Sequence, residues 1–127
     1  MPILLPDLRN CTHRISLIGF SVPYVYDDEG SQTAASAALL REAACFVVKT
    51  YIDRNFGTHA FSFAGPRCFD VCVDAGGTGS TPAHVCIDVP CPSDMDPIHA
   101  AHSLEKAWQE SEWADGATYF DIIDRRN

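Results

Sequence analysis

The stretch from Cys68 to Val89, CFDVCVDAGGTGSTPAHVCIDV, limits what this chain can fold into more than any other, because its two halves alternate in the same way around a glycine-rich joint. Side chains of a strand point to opposite faces with period two. The first half splits into Phe69, Val71 and Val73 on one side and Cys68, Asp70, Cys72 and Asp74 on the other. The second splits into Val85, Ile87 and Val89 against His84, Cys86 and Asp88. Residues 75–82, AGGTGSTP, carry the glycines and the proline expected between antiparallel strands. Two registers keep the faces matched. One sets Asp74 against His84, Cys72 against Cys86 and Asp70 against Asp88. The other, slipped by two residues, sets Cys72 against His84 and Asp70 against Cys86. A slip of one residue would turn the valines to water and is excluded.

The valine face of such a hairpin needs a second layer, and the remaining chain supplies it. Residues 1–12 contain two prolines and little periodicity and are expected to form an irregular arm. His13–Val22, HRISLIGFSV, reads as a strand stopped by Pro23. A helix is expected from about residue 32 to 55, closed by Gly57. Its apolar residues, Leu39, Leu40, Ala43, Phe46, Val47, Val48 and Tyr51, cover about 200° of its circumference. So wide a stripe predicts contact with the sheet and with something more, the second helix or a partner chain. His59–Ala64 alternates Phe61 and Phe63 with small residues and reads as another strand. A capping residue before Pro97 starts a second helix running to about Ala114, with an inward stripe of Ile98, Ala101, Leu104 or Glu105, and Trp108. Ala117–Ile123 reads as the last strand.

The expected order is β-α-β-β-β-α-β in a single domain spanning residues 1–127. This is an α+β fold of two layers: a mainly antiparallel sheet of four to five strands with two helices on one face. In element order it resembles a ferredoxin-like plait with an extra strand, a resemblance that brings no function with it.

Charge narrows the partners. Seventeen acidic residues face nine basic ones, for a formal net charge of −8. Affinity for nucleic acid rests on lysine and arginine neutralising phosphates, so this composition argues against nucleic acid and against anionic membrane surfaces. A basic protein or a cationic small molecule suits it better. No run of about 18 apolar residues occurs, and no basic leader heads the sequence. The expectation is a cytoplasmic protein whose six cysteines are thiols packing as small hydrophobes.

Chemistry has its best place on the Cys/Asp/His face of the hairpin. A cysteine needs a neighbouring base or cation to become a nucleophile, and zinc needs thiolates or imidazoles around one point. In either register Cys72, His84 and Cys86 are neighbours with Asp70 and Asp88 beside them, which makes these five the candidate catalytic residues. Yet Cys68 and Cys72 are four apart and Cys86 and Cys91 five, unlike the tight knuckle of structural zinc. That spacing favours cysteines as fillers under a second layer or a dimer mate. Facing aspartates destabilise a sheet, so one is expected to be protonated or bound to a cation, or else the slipped register holds. His99 and His102, three apart on the second helix, share a face and are candidate metal ligands. Tyr24, Tyr26 and Trp113 are the aromatics best suited to a ligand or an interface, with Trp113 expected to be partly exposed. No cofactor is expected.

These readings converge on a small acidic binding or interaction protein without catalytic activity, homodimeric through a sheet edge or the uncovered sheet face. Two alternatives stand beside it: a thiol- or metal-dependent enzyme on the Cys72, His84, Cys86 face, and a binder of a cationic small molecule.

Overall fold

The computed structural model describes residues 5–21, 32–74, 84–111 and 117–126. Its elements in chain order are β1 (His13–Ser21), α1 (Gln32–Phe56), β2 (Asp70–Asp74), β3 (His84–Cys91), α2 (Pro97–Gln109) and β4 (Ala117–Arg126). The four strands form one sheet in the order β2-β3-β1-β4, and every neighbouring pair is antiparallel. Each helix thus joins two strands with a third lying between them. Two such split β-α-β units interlock, giving the connectivity of a ferredoxin-like plait.

Alternation along the central strands decides which face the helices cover. Ile15 and Leu17 of β1 and Val85, Ile87 and Val89 of β3 are fully buried, in one cluster with residues of both helices. From α1 this core takes Leu40, Ala44, Val47, Val48, Tyr51 and Ile52; from α2 it takes Ala100, Leu104, Ala107 and Trp108. The buried part of the wide apolar stripe of α1 meets more than the sheet, since α1 packs on β2, β3 and α2 together. Tyr51 also pins that helix to the sheet: its buried hydroxyl donates to the Pro90 carbonyl at 2.7 Å. The helix ends follow local chemistry. Asp96 caps α2 by accepting from the Ile98 amide at 3.0 Å, with Pro97 opening the first turn. After α1 the chain turns through Gly57 at φ 124°, a region that suits glycine.

Four expectations are corrected. Residues 60–63 form a short 3-10 helix rather than a strand. The backbone there finds local partners: Ala60 N–H donates to the Gly57 carbonyl, the Ser62 hydroxyl to the His59 carbonyl, and Phe61 N–H to the Asp53 carboxylate. With those groups satisfied, the alternation of Phe61 and Phe63 has no ladder to join. Phe61 packs on Phe69 at 5.6 Å between ring centroids, while Phe63 is 58% exposed. Phe46 of α1 is 45% exposed, because the buried stripe runs through Ala44 and Ile52 instead. On α2, Ile98 is 68% exposed and the inward residues are Ala100, Leu104, Ala107 and Trp108, one residue round from the expected stripe at Ala101. Cys68 precedes β2 and is buried at its entrance, so it does not share the face of Cys72. Among the described residues no helix is long and apolar enough to cross a membrane.

The tightest contact between the layers is Trp108 over Gly19. A Cβ at Gly19 would lie 2.9 Å from both Cη2 and Cζ2 of the indole, inside the distance real carbons adopt. Gly19→Ala is therefore expected to destabilise the fold by about 1–3 kcal/mol through overpacking against a ring that is itself buried. Urea unfolding should show a lower midpoint with an unchanged slope; an unshifted midpoint would contradict the close approach.

Candidate functional site: the helix-free face of the sheet

The face turned away from the helices is set by the same alternation that fills the core. β1 contributes Arg14, Ser16 and Ile18 to it, β3 His84, Cys86 and Asp88, β2 Asp70 and Cys72, and β4 Asp121, Ile123 and Arg125. The strand registers lay these out in rows. Asp121, Ile18, Cys86 and Cys72 lie side by side across the four strands. In the next row stand Ile123, Ser16, Asp88 and Asp70. Beyond it Arg125 lies opposite Arg14, which lies opposite Pro90.

All five candidate residues of the hairpin come together on this face. The first of the two registers holds: Asp70 opposes Asp88, Cys72 opposes Cys86, and the backbone of His84 opposes that of Asp74. The facing aspartates are relieved from β1, a strand whose contribution the hairpin alone does not show. The buried Ser16 hydroxyl donates to Asp88, and Arg14 Nη1 approaches the other carboxylate oxygen at 4.0 Å. Asp88 is thus oriented by a hydroxyl and faced by a guanidinium while Asp70 stays exposed to water. The signal for Ser16 and Arg14 was present in the sequence as even-numbered positions of β1; their partners depend on the pairing of β1 with β3.

Reactivity follows from these neighbours. Cys72 is exposed and Cys86 half-buried. Burial pushes the Cys86 thiol above its ordinary value, the Asp88 carboxylate pushes it further, and Arg125 only partly offsets them. Thiolate is the nucleophile, so this environment works against the activated cysteine that a thiol enzyme requires. The other buried thiols behave as core: Cys91 is pushed up to about 11 by burial and then by Asp124, and its Sγ faces the Met95 carbonyl at 3.6 Å.

The remaining candidates lie elsewhere. His99 and His102 are exposed along a groove of about 290 Å³ that they share with Arg54, Asn55, Ser103 and Lys106. Arg54 in this groove is paired with the Glu110 carboxylate at 2.7 Å. Among the described residues no group of three or more His, Cys, Asp or Glu is placed to hold a metal ion. Tyr24, Tyr26 and Trp113 lie outside the described residues, as does the glycine-rich connection 75–83. A cleft of about 260 Å³ at one end of the sheet gathers Arg9, Arg14 and Arg67 beside Asp7 and Asp70; arginines so far apart in sequence gave no pattern to read. No family model matches the chain, and no curated protein or solved structure matches it.

The thiol environment predicts a measurable pH profile. Alkylation of Cys86, followed peptide by peptide, should rise with a midpoint above the ordinary cysteine value. Asp88→Asn removes the largest charge that favours the protonated thiol and should move that midpoint down, leaving the effect of burial. A wild-type midpoint at or below the ordinary cysteine value would contradict the arrangement.

Proposed function

We propose that this chain is a small acidic interaction protein without catalytic activity that works as a homodimer joined along β4, with the helix-free face as its contact surface. The observation that carries the reading is the charge pattern of the β4 edge. β4 is ten residues long and forms one end of the described sheet, so one row of its backbone groups has no strand partner among the described residues. Such an edge is a template for pairing with another chain.

Charge placement favours a second copy as that chain. Residues opposed in an antiparallel pair point to the same side. Two β4 strands laid antiparallel about Ile123 set Asp121 of each copy opposite Arg125 of the other, all on the helix-free side. Within its own sheet Arg125 faces Arg14, a like charge, and Asp121 faces apolar Ile18. Neither makes an ion pair with a described residue. A purely protective edge carries charges that repel a copy of itself; this one carries opposite charges at self-complementary positions. The paired sheet would have eight strands with all four helices on one side, leaving a continuous face bearing Asp70 and Asp88 of each copy away from the seam. With the net charge of −8, that face suits a basic partner.

Sedimentation at about tens of micromolar should give the mass of a dimer. Asp121→Arg and Arg125→Asp each turn two attractions into two repulsions and should weaken association by about a hundred-fold or more. The double variant should recover much of the loss, because the swap restores both pairs. A wild-type monomer, or a double variant no better than either single one, would refute pairing along β4.

A further inference from the structure

The directly opposed thiols on the helix-free face carry an inference that stands independently of dimer formation. We propose that Cys72 and Cys86 are a site of reversible disulfide formation, closed by exchange with a low-molecular-weight disulfide such as oxidised glutathione.

Geometry comes first. Cys72 and Cys86 are direct partners in the β2/β3 register and point to the same side of the sheet. Opposed residues of an antiparallel pair have Cα atoms about 4.5 or 5.5 Å apart. Both separations lie within the range of about 4.4–6.8 Å that a disulfide spans. Neither described helix covers the pair: Cys72 is exposed, Cys86 half-buried, and both are free thiols. Their row neighbour Ile18 is only partly buried, so a small disulfide reaches Cys72 from solvent.

The steps balance without a further reagent. The Cys72 thiolate attacks one sulfur of the small disulfide; a mixed disulfide forms at Cys72 and one small thiolate leaves and takes up a proton. The Cys86 thiolate then attacks Cys72 Sγ, forming the Cys72–Cys86 bond and expelling the second small thiolate, which is protonated in turn. The protein is oxidised by two electrons and the small disulfide is reduced to two thiols. Burial and Asp88 keep the thiolate fraction of Cys86 low. Two features offset this in the second step. A thiolate of high pKa is the stronger nucleophile, and a partner fixed opposite its target acts at a high effective concentration.

The other cysteines provide internal controls. Cys45 is exposed on α1 and has no cysteine opposite it, so exchange there stops at the mixed disulfide. Cys11, Cys68 and Cys91 are buried and should stay thiols in the folded protein.

The test treats the folded protein with millimolar oxidised glutathione at mildly alkaline pH, blocks remaining thiols, and digests on the N-terminal side of aspartate, which separates Cys72 from Cys86 at Asp74. Mass spectrometry should find the two fragments crosslinked with the loss of two hydrogens, Cys45 carrying glutathione, and the link reversed by a dithiol reductant. Cys86→Ser should leave a stable glutathione adduct on Cys72, and Cys72→Ser should abolish the crosslink. Separate adducts on Cys72 and Cys86 of the wild type, no reaction at Cys72 where Cys45 reacts, or a crosslink between other cysteines would overturn the proposal. Because the wild type alone gives a decisive pattern, the test survives a variant that fails to fold.

Discussion

The pairing of β1 with β3 sets Leu17 against Ile87 on one side of the sheet and Ser16 against Asp88 on the other. These are the two central strands, and each is held by a neighbour on both sides. Because strand side chains alternate, this single register places the whole apolar set under the helices and the whole polar set away from them. A shift of one residue would turn one of these strands over against the other, bringing Ser16 or Asp88 into the core and putting Leu17 or Ile87 in water. Ile15, Leu17, Val85, Ile87 and Val89 are all fully buried, so the cost of that shift falls on several large side chains at once.

The second layer is fitted to this register at two points. Trp108 lies over Gly19, where the missing side chain makes room for its ring. Tyr51 reaches the Pro90 carbonyl, satisfying an acceptor at the far end of β3. Asn55 donates to the Tyr51 carbonyl within α1 at 2.8 Å and across to the Ser103 hydroxyl of α2 at 2.9 Å, tying the helix pair together. On the helix-free side no described element packs over the sheet in this way, and polar side chains of neighbouring strands satisfy one another. Ser16 does so for Asp88, and Arg14 offsets the charge that Asp70 and Asp88 concentrate. Burial first, and then the Asp88 carboxylate, push the Cys86 thiol above its ordinary value.

Much of this was legible in the sequence wherever period and punctuation agree. The hairpin faces, its register alternatives, the capped start of α2 and the closure of α1 at Gly57 all rest on local chemistry. Where side chains compete with the ladder, the pattern misleads: the alternating phenylalanines at 61 and 63 look like a strand, but Asp53 and Ser62 hold that backbone in a 3-10 turn. The α2 stripe is shifted because Ala100 and Ala107, small and easily overlooked, are the residues that fit closely under the sheet. The partners of Asp88 were illegible for a different reason. Ser16 lies 72 residues away, and only the pairing of β1 with β3 brings it alongside.

Cross-strand contacts between backbone protons, measured by nuclear Overhauser spectroscopy on isotope-labelled protein, test this account most directly. The account predicts contacts linking Leu17 with Ile87, Ser16 with Asp88, and Cys72 with Cys86, together with indole contacts from Trp108 to Gly19. Contacts displaced by one residue between β1 and β3, or their absence between β2 and β3, would contradict it, since the face that carries the cysteines and aspartates would then not exist.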